Sequence, residues 1–354
     1  MLKKGLIVVG IVAVAGLAFG WKHVAAFMNG RTETSNSKQV MFALDNSISL
    51  ENIAESLKEE GVLNDVKEFL SLAEYKNLTN SKLGSGMYVI EPGTSLRTLL
   101  NGMTLNSAGN GNAEVEVKVT FNNCKTIHDL CAKVSSHLMI DSTELEQFIQ
   151  NENTLSKYGF TLEQIPALFI PNTYSMFYDT SKEQFLERMA TEFKNFWTTE
   201  RIEKLKKIGL KTPSQAVTLA SIVYGEQSKN ASEWPIIARL YLNRLQTGMK
   251  LQSDPTFKFC WGDQLAGVQR LTYEHRSKDC PYNTYLYAGL PPGPISMPPS
   301  QVVDAVLNPD SNDYLYMCAQ PNYDGLHNFA KDYAKHAAYA KEFQNWLASE
   351  LSKQ

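Results

Sequence analysis

One carboxylate, Glu226, stands where the spacing of its neighbours predicts an apolar residue. Leu219, Ile222 and Val223 precede it at the i, i+3, i+4, i+7 positions of one helix face. A carboxyl group on such a face loses hydration, which disfavours its charged form and raises its pKa. The group can then stay protonated near neutral pH and act as a general acid. The alternative is structural, with Glu226 at the solvated end of its helix.

Polar side chains that suit hydrogen bonding with a sugar follow Glu226 in the chain. Asn243 and Arg244 end the apolar run IIARLYL, and Gln252, Asp254 and Thr256 lie in the stretch LQSDPT. Each group also has a structural alternative, because such side chains cap helix ends and form turns.

Two further residues have a chemical and a structural interpretation. Ser232 is predicted to cap the helix that follows, with Glu233 and Pro235 in its first turn. A carboxylate interacts favourably with a helix N-terminus, so capping is the structural alternative for Glu233. His327 is a lone histidine, and such a residue is more often a structural side chain than a catalyst.

Composition places these residues in a folded chain of several domains. The 354 residues are 43% hydrophobic and 20% charged, with a formal net charge of -3. Wholesale disorder is therefore not expected, and nucleic-acid binding, which usually shows a basic surplus, is not supported. The length allows two or three domains.

The five cysteines contain no CxxC pair, so a metal site is not indicated. Cys260 and Cys280 flank a loop-like stretch and could form a disulfide in an oxidising compartment. The alternative is a set of buried single cysteines.

The N-terminus, residues 1–28, predicts a membrane anchor. Lys3 and Lys4 precede an uncharged apolar stretch over 5–21, and apolar residues continue after Lys22. The two lysines orient the start of the chain towards the cytoplasm, so the remainder is exported. A cleaved signal peptide is the alternative. The polar residues 29–39 are predicted as a linker.

The rest of the chain predicts an α+β fold in two regions. Residues 40–104 show a small β-α-α-β-α pattern, with Ser49 as an N-cap and the last helix begun by Thr94 or Ser95. Residues 105–354 form the second, mixed region, with 114–211 as a possible subdomain.

The second region contains most of the predicted helices. A Pro-containing turn around IPNTY precedes one long helix, and further helices cover 214–226 and 235–246. The five prolines between Pro291 and Pro299 exclude helix there. YLYMCAQ is predicted as a strand, and a long helix is predicted from His327 to the C-terminus.

The stretch LASIVYGEQSKNASEWPIIARLYLNRLQTGMKLQSDPTF resembles the MltG (YceG-like) family of endolytic murein transglycosylases. The flanking motifs IPNTY, YNTYLYAGLPPGPIS and HNF occur in the family's order. GSGMYVIEPGTSLRTLL resembles the family's LysM-like unit, and the N-terminal span resembles its membrane anchor. The resemblance covers nearly the whole chain. Three departures are Tyr224 in place of the first glutamate of the family's Glu-x-Glu motif, Asn172 in place of an aspartate, and a longer loop before Glu233.

The resemblance implies a peptidoglycan lytic transglycosylase with Glu226 as its catalytic acid. The enzyme would cleave the MurNAc–GlcNAc bond with formation of 1,6-anhydro-MurNAc, and so trim or terminate nascent strands. The residues implied to contact the glycan are Gln252, Asp254, Thr256, Asn243, Arg244, Asn283, Tyr285 and Glu233. No metal or cofactor is implied.

The implied location is the outer side of the bacterial cytoplasmic membrane, on a single-pass anchor. Glycan strands of peptidoglycan and the synthesis machinery are the implied partners, and nucleic acid is not one. Two other functions stay open: an ordinary glycoside hydrolase (a muramidase) and a catalytically silent peptidoglycan-binding protein.

Overall fold

The computed structural model describes residues 38–105, 114–265, 268 and 271–353. The predicted anchor and most of the predicted linker lie outside these residues. Within the described ranges, no helix combines the length and the apolar character that a membrane span requires. The chain divides into two compact units. The described residues of the first are 38–105, 114–119, 137–139 and 174–180, and the rest form the second.

The first unit has the β-α-α-β-α order that its sequence predicts. Its elements are β1 (Val40–Leu44), α1 (Leu50–Glu59), α2 (Val66–Tyr75), β2 (Gly86–Ile90) and α3 (Leu96–Gly102). Strands β1 and β2 are antiparallel, with Val40 opposite Ile90. The predicted caps are confirmed, because Ser49 accepts the amide of Asn52 and Ser95 that of Thr98.

Apolar residues that alternate along β1 and recur at helical spacing along α1 and α2 form the core of this unit. Phe42 and Leu44 point to the same side of β1, and both are buried against Leu57, Phe69 and other apolar residues of the helices. The apolar stripes of α1 and α2 therefore cover one face of the two-stranded sheet.

The second unit is mainly helical. Two strands, β3 (Glu116–Phe121) and β4 (Asn172–Phe177), pair with each other and supply residues to both units. Three helices lie between β3 and β4 in the chain: α4 (Ile127–Ser135), α5 (Ser142–Gln150) and α6 (Glu152–Tyr158). The helices and strands after β4 are α7 (Lys182–Phe196), α8 (Thr199–Lys207), α9 (Pro213–Glu226), α10 (Trp234–Gln246), α11 (Asp254–Trp261), α12 (Tyr273–Arg276), α13 (Ser300–Leu307), β5 (Tyr316–Ala319), β6 (His327–Ala330) and α14 (Tyr333–Leu351).

Helix α9 lies at the centre of this unit. It packs against α10, α11 and α13, and its residues are buried on every side from Ala216 to Val223. A helix that is apolar all round is a core helix rather than a surface helix. The residue at its end is therefore held by several neighbouring elements.

Two predictions of secondary structure are wrong. The long helix after IPNTY is instead strand β4 followed by α7 and α8, because Thr198 accepts the amide of Arg201 and begins a new helix. The predicted C-terminal helix begins at Tyr333, and His327–Ala330 forms β6, antiparallel to β5. The turn given as the structural alternative for LQSDPT is also absent, because residues 254–256 begin α11, with Pro255 in its first turn.

Of the two alternatives for Cys260 and Cys280, the structure has the disulfide, which ties the end of α11 to the segment before Asn283. Cys124 and Cys131 are buried free thiols. The Pro-rich run has no helix between Pro291 and Pro299, as predicted. Its backbone is anchored where the amide of Ile295 donates to the Ser221 hydroxyl of α9.

Candidate active site

Glu226 is the last residue of α9, because the backbone becomes extended at Gln227 (φ -139°). Its side chain is half-buried. The preceding residue, Gly225, lets the start of α11 approach closely. A Cβ atom there would lie 2.8 Å from the Cβ of Pro255. The absence of a side chain at Gly225 therefore brings Ser253, two residues before Pro255, within reach of Glu226.

Two hydroxyl groups hold one oxygen of the Glu226 carboxyl. The Tyr241 hydroxyl donates to Oε1 at 2.7 Å, and the Ser253 hydroxyl donates to the same atom at 2.5 Å. Among the described residues, no donor contacts Oε2. The carboxyl group is thus fixed through Oε1, and Oε2 is the oxygen available to carry a proton to a ligand.

The environment of Glu226 favours its protonated form. Burial raises its pKa, and the negative charge of Asp254 raises it further, whereas the hydrogen bonds from Ser253 and Tyr241 and the charge of His327 lower it. Burial also raises the pKa of Tyr241 well above its ordinary value, so this residue keeps its proton as a donor. An acid of this kind can donate a proton at a pH where an exposed glutamate is ionised.

We expect the substitutions S253A and Y241F to move the alkaline limb of the kcat/KM profile to higher pH. A general acid must be protonated, so activity falls as the pH rises through its pKa. Each hydroxyl stabilises the carboxylate, so its removal raises the pKa of Glu226 further. The measurement is cleavage rate against pH, with S228A as the control because Ser228 is exposed. A limb that stays in place or moves to lower pH contradicts this account.

Asp254 and Tyr285 lie together beside Glu226. The Tyr285 hydroxyl donates to Oδ1 of Asp254 at 2.5 Å, and the Arg276 guanidinium lies 3.7 Å from the same oxygen. Burial and the Asp254 carboxylate raise the pKa of Tyr285. Gln252 is exposed and has a φ of 50°, a left-handed conformation that is uncommon outside glycine. These three predicted ligand contacts are therefore partly accessible in the structure.

Four other predicted contacts hold loops in place. Thr256 is fully buried and bonds to Thr284, and the fully buried Asn283 donates to the carbonyls of Arg276 and Lys278. A buried polar side chain needs such partners. Their contact with a ligand stays a prediction.

The other two, Asn243 and Arg244, lie near the end of α10. Asn243 donates to the carbonyls of Asn312 and Tyr314. Arg244 is buried, and it donates to the carbonyls of Leu315 and Leu251 at 2.6 Å each. Arg244 thereby fixes the loop that leads to Gln252.

Glu233 is buried, and three donors converge on its carboxylate. Oε1 accepts the amide of His327, and Oε2 accepts Nε2 of Gln227 and lies 2.8 Å from Nδ1 of His327. The prediction that Ser232 caps α10 is wrong. Glu233 itself occupies the cap position, and its side chain makes no capping bond, because it is turned towards His327.

Sequence reasoning missed Tyr241, Ser253 and Gln227. Tyr241 lies within an apolar run, and its only signal is that a buried tyrosine hydroxyl needs a partner. Ser253 is the unassigned residue of LQSDPT. Tyr224, in place of a carboxylate, packs edge-on against the ring of Trp234, whose indole N–H donates to the carbonyl of Gln227. These contacts fix the backbone that follows Glu226.

The fold and the site define an α+β protein whose half-buried carboxyl group, at the end of a core helix, is set to act as an acid. The chain belongs to the YceG-like family, whose model matches residues 42–342.

Curated relatives are named endolytic murein transglycosylase. The Bacillus subtilis (strain 168) protein is 26% identical over 318 residues, covering 84% of each chain. The Streptococcus pneumoniae (strain D39) protein is 26% identical over 329 residues, covering 86% of this chain and 58% of its own. A crystal structure of a yceG-like protein from Listeria monocytogenes has a TM-score of 0.54 at 23% identity, covering 85% of this chain and 98% of that one. This last similarity concerns the fold alone.

Proposed function

We propose that the chain is an endolytic lytic transglycosylase that cleaves the MurNAc–GlcNAc bond of peptidoglycan, with Glu226 as its catalytic acid. The observation that carries the proposal is a carboxyl group at the end of a core helix that the described residues hold through Oε1 only, and whose pKa is raised by burial. The family and the names of the two relatives support the substrate class.

The reaction needs only one protein carboxyl group, because the substrate supplies the nucleophile. Glu226 donates its proton to the glycosidic oxygen as the C1–O bond breaks and an oxocarbenium-like state develops. The resulting carboxylate then accepts the proton of the MurNAc 6-hydroxyl. That oxygen bonds to C1 and closes the 1,6-anhydro ring. The proton returns to Glu226, which is ready for another cycle.

In this proposal the eight predicted ligand residues have two kinds of role. Gln252, Asp254 and Tyr285 are accessible enough to contact the glycan directly. The other five, of which all but the half-buried Asn243 are buried, bond to the surrounding loops or strands and act on the glycan through backbone positions. They are Thr256, Asn243, Arg244, Asn283 and Glu233.

The proposal also covers location and organisation. A single-pass anchor at 1–28 and a linker at 29–39 would hold the chain on the outer side of the bacterial cytoplasmic membrane. The disulfide between Cys260 and Cys280 supports an oxidising compartment. Residues 40–104 would be a LysM-like unit, and 105–354 the YceG-like catalytic region, with 114–211 as a subdomain. Near the membrane, nascent strands and the synthesis machinery would be within reach.

One observation favours a second candidate function, a hydrolytic muramidase. Asp254 is a second carboxylate close enough to raise the pKa of Glu226, and two-carboxylate glycosidases use such a pair. Against this, Asp254 already accepts the Tyr285 hydroxyl and lies beside Arg276. A catalytically silent wall-binding protein would have little reason to retain Glu226.

Product analysis separates these functions. Purified sacculi or uncross-linked glycan strands digested by the full chain are expected to release fragments with 1,6-anhydro-MurNAc ends. Mass spectrometry distinguishes these from reducing ends, which are heavier by one water. Fragments with only reducing ends would assign a muramidase, and no release of fragments would leave a binding protein.

A further inference from the structure

His327 is the first residue of β6, and one carboxylate holds both its backbone and its ring. Its amide donates to Oε1 of Glu233 at 2.8 Å, and its ring Nδ1 lies 2.8 Å from Oε2. The side chain of Glu233 is only 7% exposed, whereas that of His327 is 16% exposed. An ionised carboxylate only accepts hydrogen bonds, so this contact places the proton of a neutral imidazole on Nδ1.

The other ring nitrogen, Nε2, is then a hydrogen-bond acceptor. Among the described residues it has no hydrogen-bond partner, although the residue is otherwise tightly held. A tautomer fixed by a buried carboxylate on one ring nitrogen prepares the other nitrogen for a defined partner, as in a histidine oriented by an aspartate in hydrolases.

His327 and Glu226 belong to one connected arrangement. Gln227, next to Glu226 in the chain, donates from Nε2 to Glu233 and to the carbonyl of Gly325, two residues before His327. A positive charge on His327 would lower the pKa of Glu226, which burial raises, so the two side chains lie within electrostatic reach even though the neutral imidazole is the form that accepts a hydrogen bond. The end of α9 and the start of β6 are therefore fixed relative to each other.

We propose that His327 is a further substrate-contacting residue, whose Nε2 accepts a hydrogen bond from the MurNAc 6-hydroxyl, and that Glu233 is its positioning residue. This inference rests on the proposed function. The contact holds the hydroxyl oxygen near C1 in the bound substrate. Once Glu226 has become a carboxylate, the single hydroxyl hydrogen turns from Nε2 to that carboxylate, which takes the proton, so the contact adds no step to the reaction. It assigns Glu233 an indirect role that its burial allows.

One substitution of His327 separates substrate contact from a structural role. In H327N the amide nitrogen can take the place of Nδ1 and keep the contact with Glu233, but Nε2 is lost. We expect this variant to fold with a Tm close to that of the wild type. Its cleavage rate should fall about 10-fold, because the loss of one hydrogen bond raises the barrier by about 1.4 kcal/mol.

Product composition is the decisive measurement, because a structural role would not change it. Without the contact, the 6-hydroxyl is poorly oriented and water competes for C1. The share of reducing ends among the fragments from purified glycan strands should therefore rise in H327N. E233Q replaces one of the two accepting oxygens by an amide group. With that group facing Nδ1 it favours the other imidazole tautomer, so the share should change in the same direction.

The outcomes are distinct. If the wild type produces anhydro ends and H327N has the same ratio of anhydro to reducing ends, this inference is wrong, whatever the change in rate. The proposed function would still stand in that case. Wild-type products without anhydro ends would overturn the proposed function itself. If H327N does not fold, E233Q is judged by the same ratio, and an unchanged ratio in that variant overturns the inference.

Discussion

Replacing Glu226 by glutamine is expected to reduce the release of glycan fragments by about 10²–10⁴-fold. The amide has nearly the shape of the carboxyl group but cannot donate a proton to the glycosidic oxygen. The hydroxyl groups of Tyr241 and Ser253 can still donate to the amide oxygen, so the local packing is retained. The assay is fragment release from purified sacculi, followed by chromatography and mass spectrometry.

The stability of the same variant gives an independent check. Because the folded-state pKa of Glu226 is raised, the wild type loses stability as the pH rises through that pKa. A glutamine does not ionise, so E226Q should match the wild type in acid and have the higher Tm at neutral and alkaline pH. A difference of about 1 kcal/mol corresponds to roughly 2–4 °C in a unit of this size.

The control for this prediction is E203Q, which makes the same chemical change at an exposed position of α8. It should leave both fragment release and Tm unchanged. Wild-type activity in E226Q would refute the assignment of the acid. A large loss of Tm in E226Q would instead show that the carboxylate is needed for folding.

Replacing Gly293 by alanine is expected to cause the largest loss of folding stability among the substitutions proposed for this protein. An added Cβ would lie 1.8 Å from the carbonyl oxygen of Glu163 and 2.5 Å from its carbonyl carbon. Both atoms belong to the backbone, so no side-chain rotation can relieve the clash. Overpacking of this kind costs about 3 kcal/mol or more. The Tm should fall by roughly 6–12 °C, as measured by calorimetry or circular dichroism.

The G293A substitution should also disturb the candidate active site around Glu226. The Pro-rich run that contains Gly293 donates the amide of Ile295 to Ser221 of α9, and the Ile295 side chain lies beside Gly225. A displacement of the run therefore disturbs the helix end that carries Glu226. The control is S296A in the same run, which removes only a hydroxyl and should change stability by less than about 0.5 kcal/mol. A Tm for G293A within a degree of the wild type would contradict the close packing of Gly293 against the Glu163 carbonyl.

Local patterns predicted the elements that depend on local interactions. The caps at Ser49 and Ser95 were predictable because each serine bonds to an amide three residues away. Helix α9 was predictable from the apolar spacing that leads to Glu226. Strand β4 was not, since pairing with β3 depends on residues about 50 positions away in the chain.

The chemistry of the site was predictable in type but not in geometry. An acid on an apolar face pointed to Glu226, and the flanking motifs supported it. The donors that hold it come from 15 and 27 residues away, and the bond between Glu233 and His327 spans 94 residues. A sequence does not show which buried polar groups will meet. Thr256 and Asn283 illustrate this, because residues suited to a sugar instead bond to neighbouring loops.

The two carboxyl oxygens of Glu226 differ in their hydrogen bonding, and this difference has a consequence for inhibitors. Oε1 already accepts hydroxyl groups from Tyr241 and Ser253, both buried side chains that a ligand cannot displace cheaply. A sugar mimic with a protonated ring nitrogen would therefore be directed to Oε2. Its binding would require the carboxylate form, so its affinity should rise with pH while catalysis declines. Cationic mimics and the natural glycan would thus select opposite ionisation states of one side chain.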